Sequence, residues 1–170
     1  PGLRRTFSFE EWNWVHDRLI QEVRTEASKK INRDLVLDIM GTDIDARMVE
    51  IAKENAQKAG VASDITFKQM RVQDLRSEKI NGVIISNPPY GERLSDDAGV
   101  TKLYAEMGEV FEPLKTWSKF ILTSDENFEK KFGRQADKKR KLYNGTLKVD
   151  LYQFFGERVR RQATSEKGNI

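Results

Sequence analysis

Short β-branched runs alternate with stretches of helical periodicity along this chain, and that alternation leaves few architectures open. A helix is expected over Ser8 to Ile31: Ser8 and Glu11 fit a capping box, and Trp12, Val15, Leu19, Val23, Ala27 and Ile31 form one apolar stripe. His16 lies beside that stripe as a partly buried structural histidine. The run Leu35 to Met40 reads as a strand leading into Gly41-Thr42-Asp43-Ile44-Asp45, and a helix follows through Met48, Ile51, Ala52, Asn55 and Ala59 to Gly60. A strand over Ile65 to Gln69 precedes Gln73-Asp74. Gly82 to Ser86 reads as a buried strand that ends in Asn87-Pro88-Pro89-Tyr90. A helix from Val100 to Leu114, a strand from Lys119 to Thr123 and a short helix from Glu126 to Phe132 come next. The last unit is a hairpin, Lys139 to Tyr143 and Thr146 to Phe155, joined by Asn144-Gly145 as a type I′ turn. The expected fold class is α/β, with a largely parallel sheet and an antiparallel C-terminal hairpin.

Composition narrows the chemistry. The 170 residues include no cysteine and one histidine, so thiolate zinc sites, cysteine nucleophiles and multi-histidine metal centres are excluded, and no metal is expected. Apolar runs as short as Val83-Ile84-Ile85 fall far below the roughly 20 residues that span a bilayer, so no membrane partner is expected either. The net charge is +3, unevenly placed. Between Phe128 and Gln162 eleven Lys and Arg face four acids, a basic third on a slightly acidic body. That pattern fits a nucleic-acid backbone, and it also fits an ordinary solvated face.

Asn87-Pro88-Pro89-Tyr90 is the most informative word in the sequence. Two consecutive prolines remove two backbone N–H donors and stiffen the segment. The Asn87 side-chain carbonyl and the Pro88 carbonyl remain as acceptors, with an aromatic ring beside them. Two acceptors suit the two hydrogens of an exocyclic amine on a planar base, with Tyr90 stacking on the ring. Holding both hydrogens aims the nitrogen lone pair outward, and orientation is what a weakly nucleophilic conjugated amine needs. Asp43, at the carboxyl end of a strand, is well placed to accept ribose hydroxyls, whereas Asp45 reads as the N-cap of the next helix. Asp74 is either an acceptor for an adenine amino group or a surface-loop acid.

These features resemble the class I S-adenosylmethionine-dependent methyltransferases, whose sheet is Rossmann-like. More narrowly, Asn87-Pro88-Pro89-Tyr90-Gly91-Glu92-Arg93-Leu94 is similar to the motif of the bacterial THUMP-containing 23S rRNA guanine-N2 methyltransferases. The likeness continues through Gly41 to Asp45, Ile51 to Ala56 and Lys138 to Gly145, over residues 5–156. It implies S-adenosyl-L-methionine as cofactor, with Asp43 on the ribose, Ile44 packed on the adenine, Asp74 on the adenine amino group and Asn87 shared with the base site. It implies Asn87, Pro88, Pro89 and Tyr90 as the catalytic loop, a flipped guanine of 23S ribosomal RNA as substrate, and a cytoplasmic enzyme. Arg93 is the best-placed RNA contact. Lys138, Lys139, Arg140 and Lys141 are further candidates, although strand alternation would point half of them away from any one partner.

The sequence departs from that family in one respect. No two glycines lie within seven positions of each other, so no G-x-G cradle for the methionine part of the cofactor exists. The chain is therefore expected to be an incomplete methyltransferase domain over 1–156 followed by a polar tail over 157–170. In that reading the first strand and glycine-rich loop are missing from between the strands at Val36 and Val83. The chain alone would then bind the cofactor weakly and be inactive. The rival readings are adenine-N6 methylation of DNA or RNA, since the loop suits any exocyclic amine, and a non-catalytic nucleic-acid-binding module.

Overall fold

The computed structural model describes residues 5–32, 34–89 and 97–158, in two compact units, Pro1–Met70 and Arg71–Ile170. In the first unit the long N-terminal helix expected from the sequence is divided. Ser8–Glu11 is a 3-10 turn, and helix α1 runs over Asp17–Lys29. The break comes where Trp12 and His16 adopt extended backbone, and Ser8 makes no capping bond. The turn folds back because Glu10 is drawn to the guanidinium of Arg24, which also donates to the Arg5 carbonyl. Phe7, Phe9, Trp12 and Trp14 then pack on one another, with successive ring centroids 5.2–6.5 Å apart. The apolar stripe of α1 is not buried, and His16 is exposed rather than partly covered.

Strand β1 (Ile39–Asp43) starts four residues later than the β-rich run suggests. It pairs in parallel with β2 (Ile65–Gln69), with Ile39 opposite Ile65 as the first pair among the described residues, and Val36 upstream of it is exposed. Helix α2 (Ala46–Ala59) lies between them in sequence and buries Val49 and Ala56. It ends as expected at Gly60, whose φ of 73° is the left-handed conformation a helix C-terminus favours in glycine.

In the second unit the strand order is β3-β4-β6-β5. β3 (Val83–Ser86) is parallel to β4 (Ser118–Thr123), while β6 (Leu147–Phe154) is antiparallel to both β4 and β5 (Lys138–Asn144). Helix α3 (Asp97–Phe111) and helix α4 (Phe128–Phe132) supply the core. Val100, Tyr104, Met107 and Phe111 meet Ile121, Phe128, Phe132, Tyr152 and Phe154. The mixed α/β class and its antiparallel hairpin therefore stand.

Two details differ from expectation. β3 reads as buried on both faces, yet Val83 is 58% and Ile85 81% exposed. Among the described residues β3 pairs only with β4, and only the face carrying Ile84 packs on the core. The hairpin turn is Gly145-Thr146 rather than Asn144-Gly145, because Asn144 still pairs with Leu147. Only Gly145 has a positive φ, which is the type II′ pattern, not type I′.

The buried Tyr152 gives this unit a pH response. Burial, and then the carboxylate of Asp150, push its hydroxyl up to about 12 from an ordinary 10.0. A raised folded-state pKa stabilises below the unfolded value and loses that contribution as pH rises through the folded one. Urea midpoints should therefore fall between about pH 10 and 12 in the wild type, and Tyr152→Phe should flatten that decline.

No helix of the described residues is long and apolar enough to cross a membrane. None of their His, Cys, Asp and Glu side chains form a group of three that could hold a metal ion.

Candidate active site

The acceptor loop sits where β3 ends. Asn87 is exposed, Pro88 is buried and Pro89 is half-buried, so the turn is packed at Pro88 and open to solvent at Asn87. Tyr90 and Arg93 lie outside the described residues. Ser86 is opposite Ile121, and two more residues of the same register bring the loop alongside Thr123 at the end of β4. There the hydroxyl of the fully buried Tyr104 lies 2.9 Å from Thr123 Oγ1 and 3.4 Å from the Pro89 carbonyl oxygen. Thr123 Oγ1 also accepts the Asp125 N–H at 3.1 Å. Helical spacing places Tyr104 alongside the apolar face Val100, Leu103, Met107, Val110 and Leu114. What it does not reveal is that its polar end meets the loop, because that depends on the β3–β4 pairing.

Of the candidate cofactor residues, Asp43 and Ile44 belong to the first unit and Asp74 to the second. Asp43 closes β1, exposed, and its Oδ1 accepts the Asp45 N–H at 2.8 Å. Its carbonyl accepts from Met70 N, and the neighbouring Ile44 carbonyl accepts from Gln69 Nε2, so the turn is fixed at both residues. Ile44 is 62% exposed, an apolar side chain standing free at a strand's carboxyl end. Asp45 is the N-cap of α2, accepting from Arg47 N at 2.8 Å, as the sequence suggests. The Arg47 guanidinium bonded to it holds its carboxyl below the ordinary value. In the second unit Asp74 ends the 3-10 turn Val72–Asp74 and is exposed.

Strand β5 is exposed along its whole length, and its cations divide as alternation requires. Lys139 and Lys141 lie opposite Tyr152 and Asp150. Lys139 Nζ sits 5.2 Å from the Tyr152 ring centroid and 4.0 Å from Glu129, so it is committed to the α4 side. Lys138 and Arg140 lie opposite Gln153 and Leu151, on the other face. The cluster is therefore two pairs aimed in opposite directions.

The chain was compared with known proteins. Residues 1–153 match the family described as RMKL-like, methyltransferase domain. "Putative RNA methyltransferase YpsC" of Bacillus subtilis is 50% identical over 165 residues, covering 96% of this chain and 43% of that protein. Ribosomal RNA large subunit methyltransferase K/L of Shewanella amazonensis is 36% identical over 181 residues, covering 100% of this chain and 26% of that protein. The crystal structure of SMU.472 complexed with SAH superposes with a TM-score of 0.85 at 62% identity, covering 94% of this chain and 42% of that one. The chain thus spans less than half the length of these relatives. The family match covers nine-tenths of the sequence, and on that ground the chain belongs to the RMKL-like methyltransferase domain family.

Proposed function

We propose that this chain forms the base-holding and nucleoside-binding part of an S-adenosylmethionine-dependent methyltransferase that modifies N2 of a guanine in 23S ribosomal RNA. The observation that carries this reading is the exposed Asn87 amide ahead of a buried Pro88 at the end of β3. The Asn87 side-chain carbonyl and the Pro88 carbonyl accept the two amine hydrogens, and Tyr90 stacks on the base. The amine lone pair is then fixed toward the methyl donor, which supports transfer through orientation. The relatives named for ribosomal RNA large subunit methylation support that RNA as the substrate, and guanine rests on the likeness of the Asn87 to Leu94 motif. Such a substrate implies a cytoplasmic site of action.

The cofactor supplies the activated methyl group. Asp43 fits its ribose, because one carboxylate oxygen is engaged in the turn and the second faces solvent at a strand's carboxyl end. Ile44 offers an apolar surface for the adenine, and Asp74 an acceptor for its amino group. No G-x-G segment of this chain is available for the methionine part. Calorimetric titration of the 170-residue chain with S-adenosylmethionine should therefore show millimolar or undetectable binding. A micromolar Kd would contradict this division of the cofactor site.

On the RNA side, Arg93, Lys138, Lys139, Arg140 and Lys141 are the proposed phosphate contacts. Lys138 and Arg140 share one face and form the pair that can serve a single strand. Neutralising both should reduce the slope of log K against log salt by about 1 per residue, measured by RNA binding over a salt series. An unchanged slope removes them from the footprint.

The substrate is identified by labelled methyl transfer to ribosomal RNA, using the longest natural chain that carries these residues, followed by digestion to nucleosides. N2-methylguanosine is the expected product. N6-methyladenosine would replace guanine with adenine in the same loop.

A further inference from the structure

A turn with two consecutive prolines has an unusual problem: neither residue can donate a backbone hydrogen bond, so the segment is held only through its carbonyls and its ring packing. Pro88 is buried, which supplies the packing. The carbonyl of Pro89 is met by the Tyr104 hydroxyl at 3.4 Å, and Tyr104 is fully buried on α3. That hydroxyl lies 2.9 Å from Thr123 Oγ1, which in turn takes the Asp125 N–H at 3.1 Å.

Proton accounting gives this chain a direction. Each hydroxyl has one proton to donate. The Pro89 carbonyl can only accept, so the Tyr104 proton goes to it, and the Tyr104 oxygen then accepts the Thr123 proton while Thr123 Oγ1 takes the Asp125 N–H. Every member is then satisfied, and the bonds polarise one another in the same sense. The far end is rigid, since Asp125 is paired with Lys131 at 2.9 Å, accepts Asn127 N–H at 2.8 Å and has its carbonyl bonded by the Tyr152 hydroxyl. The near end, at 3.4 Å, is long for an O–H···O bond, so the contact at the Pro89 carbonyl is the weakest of the three.

We propose that Tyr104, aligned by Thr123, is the positioning residue of the base-holding loop: its hydroxyl grips the Pro89 carbonyl and fixes the turn that presents the Asn87 and Pro88 acceptors to the target amine. This rests on the base-holding reading above. It assigns Tyr104 no contact with substrate or cofactor. Its effect is on orientation, so it acts on the chemical step more than on RNA affinity, which is distributed over the phosphate contacts.

The test is kinetic, in the longest natural chain that carries these residues, with labelled methyl transfer to ribosomal RNA. Tyr104→Phe keeps the buried ring and removes the grip. It should lower kcat by about 10- to 100-fold with KM changed less than about twofold. Thr123→Val, which leaves Tyr104 in place but removes its alignment, should reproduce part of that loss, and Thr123→Ser should recover most of what Thr123→Val loses. Should Tyr104→Phe fail to fold, the Val and Ser pair at position 123 decides. Wild-type kcat in Tyr104→Phe, or equal kcat in the two Thr123 variants, overturns the proposal. Asn87→Ala in the same assay separates the two levels. If it is inactive while Tyr104→Phe is normal, only the Tyr104 role falls, whereas full activity of Asn87→Ala removes the base-holding reading itself.

Discussion

Asn87→Ala is expected to reduce methyl transfer by about 10²- to 10³-fold, the range for deleting one preorganised polar contact at a reacting group. The physical reason is the geometry at the end of β3. The loop offers no N–H from Pro88 or Pro89, so under the proposed reading the target amine would be oriented by acceptors alone, with Asn87 supplying the side-chain one. Without it one amine hydrogen loses its partner and the lone pair is no longer fixed. RNA binding should change little, because phosphate contacts dominate affinity and base contacts add selectivity. Single-turnover methylation and filter binding, run together, check both halves. Unchanged methylation would leave a nucleic-acid-binding module as the better description of the loop.

The second large effect is on stability. Phe128→Ala should cost about 3–5 kcal/mol, read as a fall in the urea midpoint of the unit formed by residues 71–170. Phe128 is completely buried, and its ring centroid lies 4.7 Å from Tyr152, 4.9 Å from Tyr104 and 5.0 Å from Phe132. The neighbouring rings of Tyr104 and Tyr152 are themselves held on α3 and β6, which limits collapse into the space its loss would open. A cost near 1 kcal/mol would mean that the core collapses around the gap. The same substitution removes the ring that Tyr104 packs against edge-on, so activity should fall even where the variant remains folded.

Much of this arrangement is legible in the amino-acid order because it is local. The αL residue at Gly60, the Asp45 cap and the strand–loop boundary at Ser86-Asn87 each depend on a few adjacent residues. The misreadings share a different cause. Trp12, Val15, Leu19 and Val23 keep helical spacing, yet the backbone breaks at Trp12 and His16, where the Glu10–Arg24 ion pair turns the chain back. Spacing records which residues are apolar, not whether a partner surface exists. β3 shows the same limit: Val83 and Ile85 look like core, and only the pairing pattern reveals that one face is covered. The turn type of the hairpin follows from register, which Asn-Gly alone leaves one residue free. Tyr104 and Thr123 are 19 residues apart and meet because α3 packs on β4 in one core, while the β3–β4 pairing brings the Pro89 carbonyl to the same place. No sequence window contains that contact.

The central claim is that the loop after β3 recognises an exocyclic amine on guanine. It is tested most directly by inosine, which is guanosine without that amine. A ribosomal RNA fragment that accepts methyl groups would be prepared with inosine replacing guanosine at one position at a time. At one position the replacement should abolish labelling by the wild type, and the modest binding preference of the wild type for guanosine over inosine there should shrink in Asn87→Ala, which keeps only the Pro88 carbonyl as acceptor. Full labelling of the RNA with inosine at every position, or a preference for guanosine undiminished in Asn87→Ala, would contradict the claim.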